Sequence, residues 1–158
     1  MQALHRFFRR LAADRRGNVM LEFTLALPIL FLLLVGLLDL GRFSLQKSAL
    51  LQGAREGAQY GIFSPTDSAN INTTAHNATG LTGVTGSNVV FCECSDALGT
   101  TVLCTATCSG GATLKKYITV TTTASFSSVL GSATTAFGSF GSWTPPTSAT
   151  ASVTMIVP

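Results

Sequence analysis

The sequence predicts an α+β protein: a long N-terminal transmembrane helix that continues out of the membrane and packs on a small antiparallel β-sheet. Three observations predict it. Val19 to Leu38 are twenty residues among which only Glu22 and Thr24 are strongly polar. An apolar stripe at helical spacing then runs on to Ile62, and three segments rich in β-branched residues follow. A chain of 158 residues has room for one modest domain and an anchor. Charged residues at 11% and a mean hydropathy of +0.42 place it with membrane-associated or exported proteins.

The net charge of +3 is a local feature. Arg6, Arg9, Arg10, Arg15 and Arg16 supply five of the ten basic residues within the first sixteen positions. From Asn18 onward five basic residues stand against six acidic ones, a net charge of −1, so nothing there resembles a phosphate-binding surface and no nucleic-acid partner is expected.

As a helix, Val19 to Leu38 spans about 30 Å, the thickness of a hydrocarbon core. A cleaved secretory signal is the competing reading. Its apolar region is usually about 7–15 residues and ends in a small-x-small site. This run is longer and flows into Asp39, Gly41 and Arg42 without such a site. A retained span is therefore expected. The arginines before it predict a cytoplasmic N-terminus and an extracytoplasmic bulk. Pro28 removes one helical hydrogen bond inside the span. Gly36 and Gly41 leave room for a neighbouring helix. Glu22, taken on position alone, is either an interfacial acid that snorkels to headgroups or a membrane-embedded charge that needs a partner.

The spacing around Glu22 bears on that choice. Gly17, then Asn18, Val19, Met20 and Leu21, then Glu22 and Phe23 resembles the processing site of type IV prepilins. In that family a membrane peptidase cuts after the glycine and leaves an acid as fifth residue of the mature chain. The fuller string EFTLALPILFLLLVGLLDLGR, followed by ALLQGAREGAQYG, resembles TadE-like proteins, minor pilin-like components of the tight-adherence (Tad) pilus, over Asp14 to Ile62. The resemblance implies a pilin-like fold with Gly17 as last leader residue and Asn18 as new N-terminus. It makes Glu22 the acid that faces the amine of an adjacent subunit. It further implies a bacterial inner-membrane protein whose partners are the membrane, a prepilin peptidase, other Tad pilus subunits and assembly-platform proteins. The chain departs from the pilin pattern in placing Asn18 where an aromatic residue commonly begins the mature chain. The exterior part is larger than the short main filament subunits of Tad pili need, which implies a minor component or assembly factor. It is expected to act in pilus biogenesis and adherence and to be a candidate for entry into the surface pilus. The resulting organisation is a cytoplasmic basic leader at 1–17, a transmembrane helix with amphipathic extension at 18–62, and an extracytoplasmic β-rich domain at 63–158.

Beyond the membrane, Leu40, Phe43, Leu50, Leu51, Ala54, Ala58 and Ile62 form the apolar stripe, and Ala49, Gly53, Ala54, Gly57, Ala58 and Gly61 allow close packing. Pro65 marks the end of this helix. Thr66-Asp67-Ser68 caps a short helix with Ile71, Ala75 and Ala78 on one face, closed by Gly80. The strand candidates are Asn88 to Cys94, Lys116 to Phe126 and Thr150 to Val157. In the second, Ile118, Val120, Thr122, Ala124 and Phe126 face one way; in the third, Ala151, Val153, Met155 and Val157 share a face. Gly131 to Ala149 reads as a loop in which Phe140 and Trp143 cover a core edge, with an adhesive tip as the less favoured use. From Ser64 onward 34 of 95 residues are Ser or Thr, which fits an exterior surface of hydroxyls rather than charges. Two formal glycosylation sequences, at Asn72 and Asn77, are discounted as chance matches.

Cys92, Cys94, Cys104 and Cys108 lie in CECSDALGTTVLCTATC. An even number in an oxidising compartment favours two disulfides over a zinc site or free thiols. Cys92 and Cys94 share a strand face and are expected to bridge forward to Cys104 and Cys108, the pairing left open. No catalytic set, metal site or cofactor is expected. His5 lies in the leader, His76 stands alone on the short helix, and GSATTAFGSFGS lacks the lysine and context of a phosphate loop. The alternative reading, from another class, is an uncleaved single-pass protein whose exterior domain binds a ligand or partner.

Overall fold

Residues 15–129, 131 and 145–158 are described by the structure, a computed structural model. One helix, α1 (Arg15–Phe63), takes 49 residues and is about 74 Å long. It runs unbroken through Pro28 and stops two residues before Pro65. A second helix, α2 (Ser68–Thr79), has Asp67 as N-cap, its side chain accepting from Asn70 N, and ends on Gly80 in the left-handed conformation (φ 63°). Four strands follow: β1 (Thr85–Cys94), β2 (Thr101–Val102), β3 (Leu114–Ser125) and β4 (Ser148–Val157). They form one antiparallel sheet in the order β2-β1-β3-β4, with every β3 residue from Lys116 to Ser125 paired to β4.

The α+β fold predicted from sequence is the one observed. β1 begins three residues earlier than the sequence pattern indicated, at Thr85, and β4 two earlier, at Ser148. The β1 extension adds Thr85, Gly86 and Ser87, which carry no apolar alternation, while the β4 extension adds Ser148 and the buried Ala149; both join the sheet by pairing with β3. β2 was not anticipated, since two residues have no period to read. Phe140 and Trp143 lie outside the described residues.

The strand faces follow the alternation. Ile118, Val120, Thr122 and Ala124 of β3 and Ala149, Ala151 and Val157 of β4 are buried against the helices. Tyr117, Thr119, Thr121 and Thr123 line the opposite face. Thr hydroxyls pair there across strands, Thr119 with Thr154 at 2.7 Å and Thr123 with Thr150 at 3.2 Å. Phe91 stacks on Tyr117 at 5.4 Å.

The sheet meets only the upper half of α1. Going up the helix means going backwards along β3. The Phe43 ring stands edge-on to Phe126 at 5.2 Å, Gln46 Nε2 donates to the Ser125 carbonyl at 2.9 Å, and Thr122 Oγ1 donates to the Leu50 carbonyl at 2.8 Å. Higher up, Gly57 faces Val120 and Gly61 faces Ile118. The closeness is possible because the helix carries hydrogen where others carry Cβ. A Cβ on Gly57 would stand 2.7 Å from that of Ala75, and one on Gly53 would stand 2.5 Å from the Ala75 carbonyl oxygen. Both lie well inside van der Waals contact, so glycine is required there.

One part of the apolar stripe is corrected. Leu40 is 66% exposed, while its neighbour Asp39 is 8% exposed and takes the inward position. Both residues fit helical spacing to Phe43, and hydropathy favoured the leucine. The β3 exit instead offers hydrogen-bond donors, which an acid satisfies and a leucine does not.

Candidate functional site

The lower half of α1 is bare. Phe23, Leu25, Ile29, Leu30, Phe31 and Leu33 are all more than 60% exposed. The most apolar stretch of the helix reaches a mean hydropathy of 2.5 and is 6% buried, so it is not the core helix of a soluble domain. Among the described residues it is the one helix long and apolar enough to cross a membrane.

Gly17, Asn18 and Glu22 all lie on this helix near its start. Asn18 and Glu22 are four residues apart and so stand one turn apart on the same face. A free amine at Asn18 and the Glu22 carboxylate would therefore share one patch. Glu22 is exposed and has no hydrogen bond or ion pair among the described residues. The nearby Thr24 hydroxyl is satisfied within the helix, donating to the Met20 carbonyl at 2.7 Å.

At the other end of the molecule the four cysteines form two interleaved bridges, Cys92–Cys104 and Cys94–Cys108, with sequence separations of 12 and 14. Cys92 and Cys94 reach forward from one face of β1, as their spacing indicated. Bridged sulfurs offer neither thiolate ligands nor a nucleophile, and no group of three metal-ligating side chains occurs among the described residues. The His76 ring pairs through Nδ1 with Asn77 Oδ1 at 3.3 Å. The Asn72 amide oxygen is buried beside Gly86, while Asn77 is exposed. A shallow groove between α1 and α2 is lined by Gln52, Glu56, Thr74, Asn77 and Ala78 and assembles no acid–base pair.

Residues 17–59 match the family model described as TadE-like protein. The match starts on Gly17 and covers α1 almost to its end. Over that segment, 43 of 158 residues, the chain is similar to TadE-like proteins, the pilus-associated family its sequence resembles. An apolar N-terminal helix fits a membrane-anchored component of such a system. No curated protein and no solved structure matches the chain. The α2 and sheet region, beyond residue 59, thus rests on its own geometry.

Sequence reasoning missed Asp39. Its carboxylate accepts Ser128 Oγ at 2.6 Å and Val129 N at 3.1 Å, with the Arg42 guanidinium at 3.8 Å. Arg42 also lies 6.0 Å from the centre of the Phe126 ring. The available signal was an acid just past an apolar run, next to Gly41-Arg42. It read as the edge of the span.

Proposed function

We propose that this chain is a minor pilin or pseudopilin of a Tad-type pilus, cleaved after Gly17 by a prepilin peptidase and acting in pilus biogenesis and adherence. Residues 1–17 form a cytoplasmic leader, 18–62 the anchoring helix in the inner membrane, and 63–158 a domain outside the cytoplasm. The observation that carries this reading is the exposed Glu22 carboxylate one turn from Asn18 on an otherwise apolar, uncovered helix.

The chemistry follows from that placement. Cleavage turns the Asn18 amide nitrogen into an ammonium, and an ammonium in apolar surroundings needs an anion as much as a buried glutamate needs a cation. Each subunit presents both in one patch, so the amine of one copy or partner pilin meets the acid of the next. The contact then repeats head-to-tail along a filament. A lone charge at mid-membrane costs roughly 2.5–3.5 kcal/mol on insertion scales, and pairing removes much of that cost.

Intact mass of the protein purified from membranes tests the cleavage: a chain starting at Asn18 is expected, and a full-length chain would favour an uncleaved single-pass protein. Glu22→Ala should leave membrane insertion intact and reduce piliation. Normal piliation in that variant would remove the pairing role.

A further inference from the structure

We propose that the turn at Ser128–Val129 is a membrane foot, seated in the phospholipid headgroup layer and held at that depth by Asp39. The inference rests on the anchoring of α1 in a bilayer, and adds where the exterior domain stands relative to it.

The helix supplies the ruler. Leu38 ends the apolar run, and each further residue rises about 1.5 Å, so Asp39 stands just above that end and Arg42 about 6 Å above it. The headgroup layer on one side of a bilayer is about 5–7 Å thick. Asp39 to Arg42 therefore occupy that layer. Helical side chains lean towards the N-terminus, so the Asp39 carboxylate reaches down over the last turn of the span rather than up. The Val129 amide and the Ser128 hydroxyl are hydrogen-bonded to that carboxylate, which brings the turn to the same depth.

The side chains suit a lipid surface. Val129 is 52% exposed and Leu40 66%, both at the depth where the acyl chains end. Arg42 stands at phosphate level with its side chain 56% exposed, its guanidinium shared between Asp39 and the Phe126 ring. That arrangement leaves donors for a lipid phosphate. Asp39 itself is shielded by its neutral donors and does not present a bare anion to the bilayer.

The test uses the full chain in vesicles of phosphatidylethanolamine and phosphatidylglycerol brominated near the top of the acyl chains. With Trp143→Phe as background, a tryptophan placed by Val129→Trp should lose most of its emission to the brominated lipid. One placed by Val89→Trp, on the outer face of β1, should lose little. Adding Asp39→Ala to Val129→Trp should bring its quenching down to the Val89→Trp level. Should Val129→Trp fail to fold, the unsubstituted protein serves: a phospholipid with a diazirine near its headgroup should crosslink to the peptide holding Phe126 to Val129. Equal quenching at the two positions, or crosslinks confined to α1, would overturn the foot. Quenching that survives Asp39→Ala would overturn the role of Asp39. Release of the protein by alkaline carbonate would instead refute the anchoring of α1, which separates the two failures.

Discussion

The two halves of α1 are built from similar residues to opposite ends. Below Asp39 the helix is wrapped in Leu, Phe and Ile that are about half or more exposed. Above it, the most buried positions are Gly, Ala and Leu50, closed over by α2, β3 and β4 with Leu50, Ala54 and Ala58 fully buried and Phe43, Leu51 and Tyr60 packed at the margin. Large side chains suit a helix whose neighbour is fluid and adapts to any shape. Small ones suit a helix whose neighbour is a folded sheet with fixed relief. Glycines occur in both halves and make the contrast testable, because among the described residues a Cβ at Gly36 or Gly41 meets nothing within 4 Å, whereas one at Gly53, Gly57 or Gly61 collides.

The largest effect should come from placing the same side chain in each half. Gly57→Leu drives a branched side chain into Ala75 and Val120 and should destabilise the α2 and sheet region by on the order of 4 kcal/mol, read as loss of protease resistance. Gly36→Leu should leave that region's unfolding unchanged. If Gly36→Leu nevertheless abolished piliation, it would locate the face that meets a neighbouring helix, since the isolated molecule leaves that position open.

Next in size is the loss of a staple. The upper half of α1 is covered by a domain whose core is largely alanine, valine and isoleucine, and two bridges hold its outer end. Replacing Cys92 and Cys104 together by Ser should lower its stability by about 2–4 kcal/mol in oxidising conditions. Membrane retention, which depends on the lower half alone, should not change. A loss of retention would show that the two halves do not act independently.

How far this contrast was legible in the sequence differs between the halves. The lower half was legible because length and hydropathy are properties of a single segment, and twenty apolar residues have one common use. The end near Pro65, the Asp67 and Gly80 caps and the inner faces of β3 and β4 were legible for the same local reason. What escaped depends on partners distant in sequence. Asp39 and Leu40 differ by one step on the helix, and only the donors at Ser128 and Val129, 89 and 90 residues away, choose between them. The Cys92–Cys104 and Cys94–Cys108 pairing is likewise a fact of how the loop after β1 folds back, which spacing left open.

A third, smaller comparison uses threonine. Thr24 and Thr122 both donate to a backbone carbonyl of α1, at 2.7 and 2.8 Å. Thr24 bonds within its own helix, whereas the buried Thr122 ties β3 to the carbonyl of Leu50. Thr122→Val keeps the volume and removes the tie, so the sheet domain should lose about 1 kcal/mol in denaturant unfolding. Thr24→Val should cost that domain nothing. An equal loss from both would mean that the hydroxyls matter through helix propensity and not through the tie.

The smallest effect concerns the acids at the two ends of the upper half. Asp39 is buried beside the β3 exit, and Asp67 is at the far end in the turn that leads into α2. Asp67 accepts Asn70 Nδ2 at 2.7 Å, Asn70 N at 3.2 Å and Tyr60 Oη at 3.2 Å. The Asn70 side chain first, then its backbone N–H, hold the Asp67 carboxyl below its ordinary value of 3.8, against a weaker opposing pull from desolvation. A depressed value in the folded state means the charged form is favoured there. Its contribution is present above the unfolded value and fades as pH falls through the folded one. The stability difference between the natural chain and Asp67→Asn should therefore stay constant from neutral pH down to about 4 and shrink below it. The acid is partly exposed, so solvent screens it and the difference should be the least of the four. A difference that widened on acidification would mean that the asparagine is the better cap and that the charge of Asp67 does not hold the turn. The upper half of α1 would then be secured at its far end by packing alone, as the Gly57 and Gly61 contacts already secure its middle.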